Sequence, residues 1–544
     1  MIKEGVEKIS DGKTLLVHKA LYALVLALSL GTAIYSNYPA FQSEYIRTDD
    51  DRANIFWFHR LLDPELLKDD LLTDYAVFYE ATGTKYLYTL AAYFVNPFLL
   101  AKIIPILFYA VAGAALYKMG RAIHGPWCGF ILAFTFICYP GHLEYFNCGY
   151  SRIFAYPGLV LFLYFLTARQ TKHLIWLIPL LSLFYPVAFL ICAVAYFLWA
   201  VLRTTIARIN VEPKKIILHF LAPMIISACF ILPKYALPDQ RYGRLLTYEE
   251  TVRNSGAYKN GRNEILPRVP VYKKAIGALN EPFIILSFLV IFFFLGRESL
   301  KIPMEFWLFI VSGLLLYELA YYFLLHLYFP YKYFRYTFPM AVFFVISLGF
   351  GRIVERIPSL WGKILSLVLL IGVSHYFHGD AIKPAAGMRD YGDEAPLYEY
   401  LKTLPKDSLI AAPPYLADGI PLFSARKVLF NFELASPWFT KYHEMIRERT
   451  EDFFFAYYSD RVEDIAGFVK KYGVDYIIVD SKLFRYLNRD RFYIDPYNDF
   501  IKKQAAGEKK FFLRENLDRL AQYRFDRYYV IDTARLLKDG GGRN

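Results

Sequence analysis

Residues 15–36 read Leu-Leu-Val-His-Lys-Ala-Leu-Tyr-Ala-Leu-Val-Leu-Ala-Leu-Ser-Leu-Gly-Thr-Ala-Ile-Tyr-Ser. A run of this apolarity meets the need of about 20 residues for a helix to cross a bilayer. Further apolar runs lie near 98–117, 127–140, 152–167, 173–184, 187–202, 216–233, 281–296, 304–325, 336–350 and 363–377. The whole chain agrees: of 544 residues, 56% are hydrophobic, 19% aromatic and only 21% charged, with a mean hydropathy of +0.28. A water-soluble chain could not hide so many apolar runs, and a disordered one would not carry them. The fold class is a polytopic α-helical membrane protein of about eleven transmembrane helices. Several runs are short for a full crossing and must borrow flanking aromatics. The stretch 173–202 holds Tyr185-Pro186 at its middle and is expected to be two short helices, not one kinked one.

Basic residues in short loops set the expected orientation. Lys3, Lys8, Lys13 and Lys19 precede the first run. Alternate loops then carry Lys118 and Arg121, Arg169 and Lys172, Arg203, Arg208, Lys214 and Lys215, Arg297 and Lys301, and Arg352, Arg356 and Lys363. With these loops and the N-terminus cytoplasmic, the C-terminus faces outside. The first run has a basic flank like a signal peptide but a long apolar core with many runs after it, so it is read as retained. The expected organisation is a transmembrane domain over 1–380, with outer loops 37–97 and 234–280, and an extracytoplasmic domain over 385–544, in a plasma or inner membrane.

The net charge of +12 has the same origin in cytoplasmic loops, and no nucleic-acid partner is expected. The five cysteines, Cys128, Cys138, Cys148, Cys192 and Cys229, lie in or beside apolar runs. None follows Cys229, so the C-terminal part is not stapled by disulfides, and their spacing fits no zinc motif. No Walker loop, Gly-x-Ser-x-Gly or His-Glu-x-x-His occurs.

The strongest local signal is Thr48-Asp49-Asp50-Asp51-Arg52, followed by Ala53-Asn54-Ile55-Phe56-Trp57-Phe58-His59-Arg60-Leu61-Leu62. Ile55, Phe58 or His59, Leu62 and Leu66 recur at helical spacing, which predicts an amphipathic helix lying in the interface. Two readings of the triplet stand side by side. One Asp caps the helix and the rest are solvated, or the three carboxylates form a functional site in which mutual repulsion raises at least one pKa. A second acidic cluster, Asp69-Asp70 with Asp74, carries the same alternatives, with capping favoured.

A first helix, an outer loop whose acidic motif opens an interfacial helix, many spans and an outward C-terminal domain together resemble the GT-C glycosyltransferases. These include oligosaccharyltransferases, protein mannosyltransferases and aminoarabinose transferases. The motif here is a run of three Asp in place of the shorter Asp-Glu or Asp-x-Asp form. The oligosaccharyltransferase Trp-Trp-Asp-Tyr-Gly motif does not occur. The resemblance implies a membrane glycosyltransferase that takes a sugar from a polyprenyl-phosphate carrier in the lipid bilayer. The acceptor would be an extracytoplasmic glycan, lipid or protein, and the anomeric centre would invert. Asp50 is then the favoured general base, supported by Asp49 and Asp51. No cofactor is named; a divalent cation stays open, with no metal ligands assigned.

The departing lipid phosphate needs cations. Arg152, in Gly149-Tyr150-Ser151-Arg152-Ile153-Phe154, and Lys332 and Arg335, in Phe329-Pro330-Tyr331-Lys332-Tyr333-Phe334-Arg335-Tyr336, sit at expected outer helix starts. Snorkelling to headgroups or membership of an aromatic belt would also explain them. Lys234, Arg241 and Arg244 add charge to the second large loop. Glu144 and His142, in the turn before Arg152, and Asp70 are candidates for the same cleft. His375-x-x-His378-x-Asp380 is a weak metal pattern.

The rival to the enzyme reading is a non-catalytic transporter or scaffold for lipid-linked glycan. A transporter should carry polar residues in mid-span, and Glu318 is a lone candidate. From about 385 the long apolar runs stop. Helices are expected at Leu397–Leu404, Val462–Tyr472 and Arg514–Tyr523, and strands at Asp407–Ala412, Lys427–Phe432, Val474–Val479 and Tyr528–Ile531. That alternation argues for a small α/β domain.

Overall fold

The computed structural model describes residues 12–205, 213–235, 239–247, 250, 269–295, 300–323, 326–327, 329–378, 382–436, 438–485, 497–504 and 510–541. Every apolar run falls on a helix. Among the described residues six helices, Leu15–Gln42, Pro97–His124, Pro186–Thr204, Met304–Tyr322, Pro330–Arg356 and Leu360–Phe377, are long and apolar enough to cross a membrane. Val271–Leu279 and Pro282–Leu295 form a pair bent by 69°, and four further apolar helices are shorter. The chain is a multi-pass integral membrane protein.

Prolines and one glycine set the breaks. Tyr185 is extended (φ −151°, ψ 88°) ahead of Pro186, so 173–202 divides into Leu174–Phe184 and Pro186–Thr205. Gly125, at φ +110°, turns the chain between His124 and Pro126, a conformation that glycine adopts without strain. The helices on either side approach to backbone contact, since a Cβ on Gly120 would stand 2.8 Å from the Cα of Gly129. Tyr117, Ile131, Leu159, Ile178, Cys192, Tyr317 and Phe344 fill the bundle interior. All five cysteines are free; Cys128, Cys148 and Cys192 are buried, and Cys229 is exposed.

At one end of the bundle the first loop and the C-terminal part are stitched together. Strand β1 (Ile46–Thr48) pairs antiparallel with β2 (Met388–Asp390). The segment after the triplet is not one interfacial helix. It forms two short helices, Asp51–Asn54 and Phe58–Leu62, with Ile55, Phe56, Trp57 and Phe58 buried. Four consecutive apolar residues leave no polar face, so the segment is enclosed instead of half-immersed. His59 helps to hold it there: burial keeps its imidazole below the usual value, and Nε2 donates to the Leu422 carbonyl at 2.7 Å.

Five more strands complete a second sheet in the order β4-β3-β5-β7-β6. They are β3 (Leu409–Ala411), β4 (Lys427–Val428), β5 (Tyr476–Asp480), β6 (Ala521–Phe525) and β7 (Tyr528–Asp532). β3 pairs parallel with β4 and β5, while β7 pairs antiparallel with β5 and β6. Helix Val462–Tyr472 matches its sequence signal and ends at Gly473, which is left-handed at φ +64°. The helix expected at Arg514–Tyr523 does not form as such. Two short turns, Phe512–Glu515 and Leu517–Leu520, lead into β6, because β7 takes an antiparallel partner across the turn at Asp526. Helix Thr440–Tyr457 has no counterpart in the sequence reading. Of the second large loop, backbone bonds tie the described part to this helix: Lys441 N donates to Tyr242 O at 3.0 Å and Thr440 N to Arg244 O at 2.9 Å.

Candidate active site

The three carboxylates of the triplet meet three different sets of donors. Asp50 occupies the N-cap of Asp51–Asn54 but makes no side-chain cap bond. Its Oδ2 instead accepts from Tyr150 Oη at 2.8 Å and from Arg152 Nη1 at 2.7 Å. Asp49 pairs with Arg52, accepts from Tyr391 Oη at 3.0 Å and lies 3.6 Å from Arg389. Asp51 is buried and accepts from Gly149 N at 3.0 Å. Burial pushes its carboxyl up, against the opposing pull of Arg47 and the Gly149 bond. Asp49 and Asp50 keep 41% and 33% of their side chains exposed, so of the three these two are open to solvent.

The opposite wall is the turn Asn147–Arg152. Buried Asn147 holds it to the rest of the protein. It donates to Ser36 Oγ at 2.8 Å and to Ala386 O at 2.9 Å, and it accepts from Asn37 Nδ2 at 2.7 Å. Gly149 packs on Ala101 and on Ile55, behind the triplet. Arg152 and Arg335 converge on one ring, that of Tyr145, with centroid distances of 5.4 and 4.3 Å. Cationic groups set over an aromatic face are held there by its quadrupole. Lys332 stands over Tyr331 instead, at 5.3 Å.

With this geometry in view, the comparisons place the fold. A crystal structure of the apo Archaeoglobus fulgidus oligosaccharyltransferase superposes with a TM-score of 0.50 at 13% identity, covering 86% of this chain and 70% of that one. A second structure of that enzyme, tethered by a disulfide to an acceptor peptide containing the Asn-Val-Thr sequon, gives 0.50 at 14% identity over 90% and 71%. The chain shares the fold of an archaeal oligosaccharyltransferase. No protein-family model matches the sequence, and no curated protein matches it either. The likeness in fold extends across most of the chain while sequence identity stays low.

On this oligosaccharyltransferase fold the other candidates separate from the triplet. Asp70 is the N-cap of Leu71–Tyr79: its Oδ2 accepts from Thr73 N at 2.9 Å and Thr73 Oγ1 at 2.6 Å, and burial raises its carboxyl. Asp74 pairs with Arg60 at 2.6 Å. Glu144 pairs with Lys383 at 3.2 Å. Arg241 and Arg244 pair with Asp239 and Glu250. The side chains of His142, Lys234 and His378, and all of Asp380, lie outside the described residues.

Sequence reasoning missed Tyr145, Tyr150, Asn147, Tyr391 and Arg389. Tyr145 and Tyr150 flank a turn already singled out for Arg152. Nothing in the sequence ties Tyr391 or Arg389 to Asp49. Arg52 also reaches past the triplet, standing 3.9 Å from both Asp418 and Glu433 with its guanidinium over the Tyr391 ring. As a cation cage the triplet does not fit. Its carboxylates serve three donor sets, and among the described residues no three His, Cys, Asp or Glu side chains converge as ligands.

Proposed function

We propose that the protein is a membrane glycosyltransferase that moves a sugar from a polyprenyl-phosphate carrier to an acceptor at the outer face, with Asp50 as general base. In this reading the membrane part makes about eleven crossings, and residues 385–544 form the extracytoplasmic domain. One observation carries the proposal: Asp50, still one-third exposed, touches Arg152 at 2.7 Å, and Arg152 shares the Tyr145 ring with Arg335. A proton acceptor and two phosphate-binding cations therefore occupy one small volume.

The chemistry follows from that adjacency. An acceptor hydroxyl or amide attacks the anomeric carbon, and Asp50 takes its proton. The bond from that carbon to the phosphate oxygen breaks on the far side, and its electron pair stays on the phosphate. Arg152 and Arg335 meet the growing charge. A single displacement of this kind inverts the centre. General-base help of this sort is worth about 10² to 10⁴ in rate. Asp51 has a supporting role in this scheme, holding the Gly149 turn to the triplet. The fold's likeness to an enzyme bound to an acceptor peptide puts peptides beside glycans and lipids among the acceptors.

The test is direct. Purified protein incubated with a panel of polyprenyl-phosphate sugars should release lipid phosphate, and Asp50→Asn should not. Release that is undiminished in the variant removes Asp50 as the base. A periplasm-active reporter fused to the C-terminus should be active; silence from a well-expressed fusion removes the outward C-terminal domain.

A further inference from the structure

We infer that the Asp50–Arg152 ion pair is a lock that the donor's phosphate opens, so that the donor binds first and its arrival frees the base for the acceptor; this rests on the function proposed above. Asp50 Oδ2 receives both the Arg152 and the Tyr150 hydrogen bonds. A carboxylate oxygen engaged in this way is poorly placed to take a proton from an incoming acceptor. Arg152 is equally committed, yet not saturated: its side chain is 15% exposed, and its buried Nε has no hydrogen-bond partner among the described residues.

The second cation supplies the asymmetry. Arg335 is exposed, lies over the same Tyr145 ring as Arg152 and has no carboxylate within 4.0 Å among the described residues. An anion that reaches both guanidinium groups gains from each. The donor's phosphodiester carries one negative charge, as a carboxylate does, but its two non-bridging oxygens can engage both guanidinium groups at once. It can therefore dock on Arg335 and draw Arg152 away from Asp50. Asp50 keeps the Tyr150 hydroxyl and gains a free lone pair. When the lipid phosphate leaves after transfer, the ion pair closes again. Tyr145 is the positioning residue, since its ring sets where both cations stand.

The experiment measures binding of sugar-free polyprenyl monophosphate to the full-length protein in nanodiscs. If Asp50 competes with phosphate for Arg152, Asp50→Asn should bind about five- to tenfold tighter than wild type, although it has lost transfer. Asp50→Glu, which keeps the charge, should show no such gain. Tyr145→Leu should weaken binding and Tyr145→Phe restore it. Affinity in Asp50→Asn that is equal to or weaker than wild type overturns the lock while leaving the proposed function standing. No binding by wild type or variant overturns the proposed function itself.

Wild-type kinetics give a second measurement that needs no variant. With both substrates varied, polyprenyl monophosphate should compete with the donor and not with the acceptor; a random-order pattern overturns the lock. Inorganic phosphate, run alongside, should rank the variants identically at lower affinity. A ranking seen with inorganic phosphate alone overturns the assignment to a lipid carrier.

Discussion

Two acidic clusters, Asp49–Asp51 and Asp69-Asp70 with Asp74, stand close together in the chain and fare differently. The second is used up locally: Asp70 caps the helix it precedes, and Asp74 pairs with Arg60 fourteen residues back. Apart from the Asp49–Arg52 pair, the first makes its contacts at long range. Asp51 reaches Gly149, Asp50 reaches Tyr150 and Arg152, and Asp49 reaches Tyr391. A cap satisfies the backbone of its own helix and needs nothing else of the fold. Asp50 and Asp51 turn instead to residues from distant segments.

The largest effect that could break this contrast is on turnover. Asp50→Asn should lower transfer by about 10² to 10⁴, while Asp70→Asn, still a competent cap, should leave the rate of the folded enzyme unchanged in the same lipid-phosphate release assay. Equal losses from the two would erase the distinction. Next comes Gly149→Ala, whose new methyl would stand 2.6 Å from the Ala101 Cβ. Overpacking of this kind costs about 1–3 kcal/mol, so the apparent melting point in detergent should fall and transfer with it, because the Arg152 turn moves.

Asp70→Ala should cost about 1 kcal/mol through the lost cap, read by thermal unfolding, with no change in donor affinity. Asp51→Asn tests a slope. Its carboxyl is held above the ordinary carboxylate value by burial, so the native state binds the proton more tightly than the unfolded chain does. The stability this gives is full below the unfolded value and is lost as pH rises through the folded one. Wild type should therefore lose melting temperature relative to Asp51→Asn as pH rises above the ordinary carboxylate range; a constant gap would refute the burial effect. The smallest change is expected from Asp74→Ala. Its partner Arg60 is 28% exposed and Asp74 is 42% exposed, and such pairs contribute about 0.2–1 kcal/mol.

The helices were legible because a bilayer demands apolar length, and length is a local property of sequence. The break at Tyr185-Pro186 and the end of Val462–Tyr472 at Gly473 were legible for the same reason: proline and glycine act where they stand. The segment Ile55–Phe58 was misjudged as interfacial. Its spacing suits a helix lying flat, but Phe58 packs on Tyr88 and Phe98, and His59 binds the Leu422 carbonyl more than three hundred positions later. Helix Arg514–Tyr523 gave way to β6 because a neighbouring strand overrode local propensity.

By itself, the sequence determined that this is a multi-pass membrane protein, where its helices begin and break, and which aspartates and arginines deserve suspicion. Tertiary structure alone decided that Asp50 faces Arg152 while Asp51 turns inward, that Asp70 is a cap, and that Tyr145 gathers two guanidinium groups. Hydrophobic periodicity and helix breaking act over a few residues, so a single stretch of chain records them. Which carboxylate meets which cation depends on how segments far apart in sequence pack, and no single stretch records that.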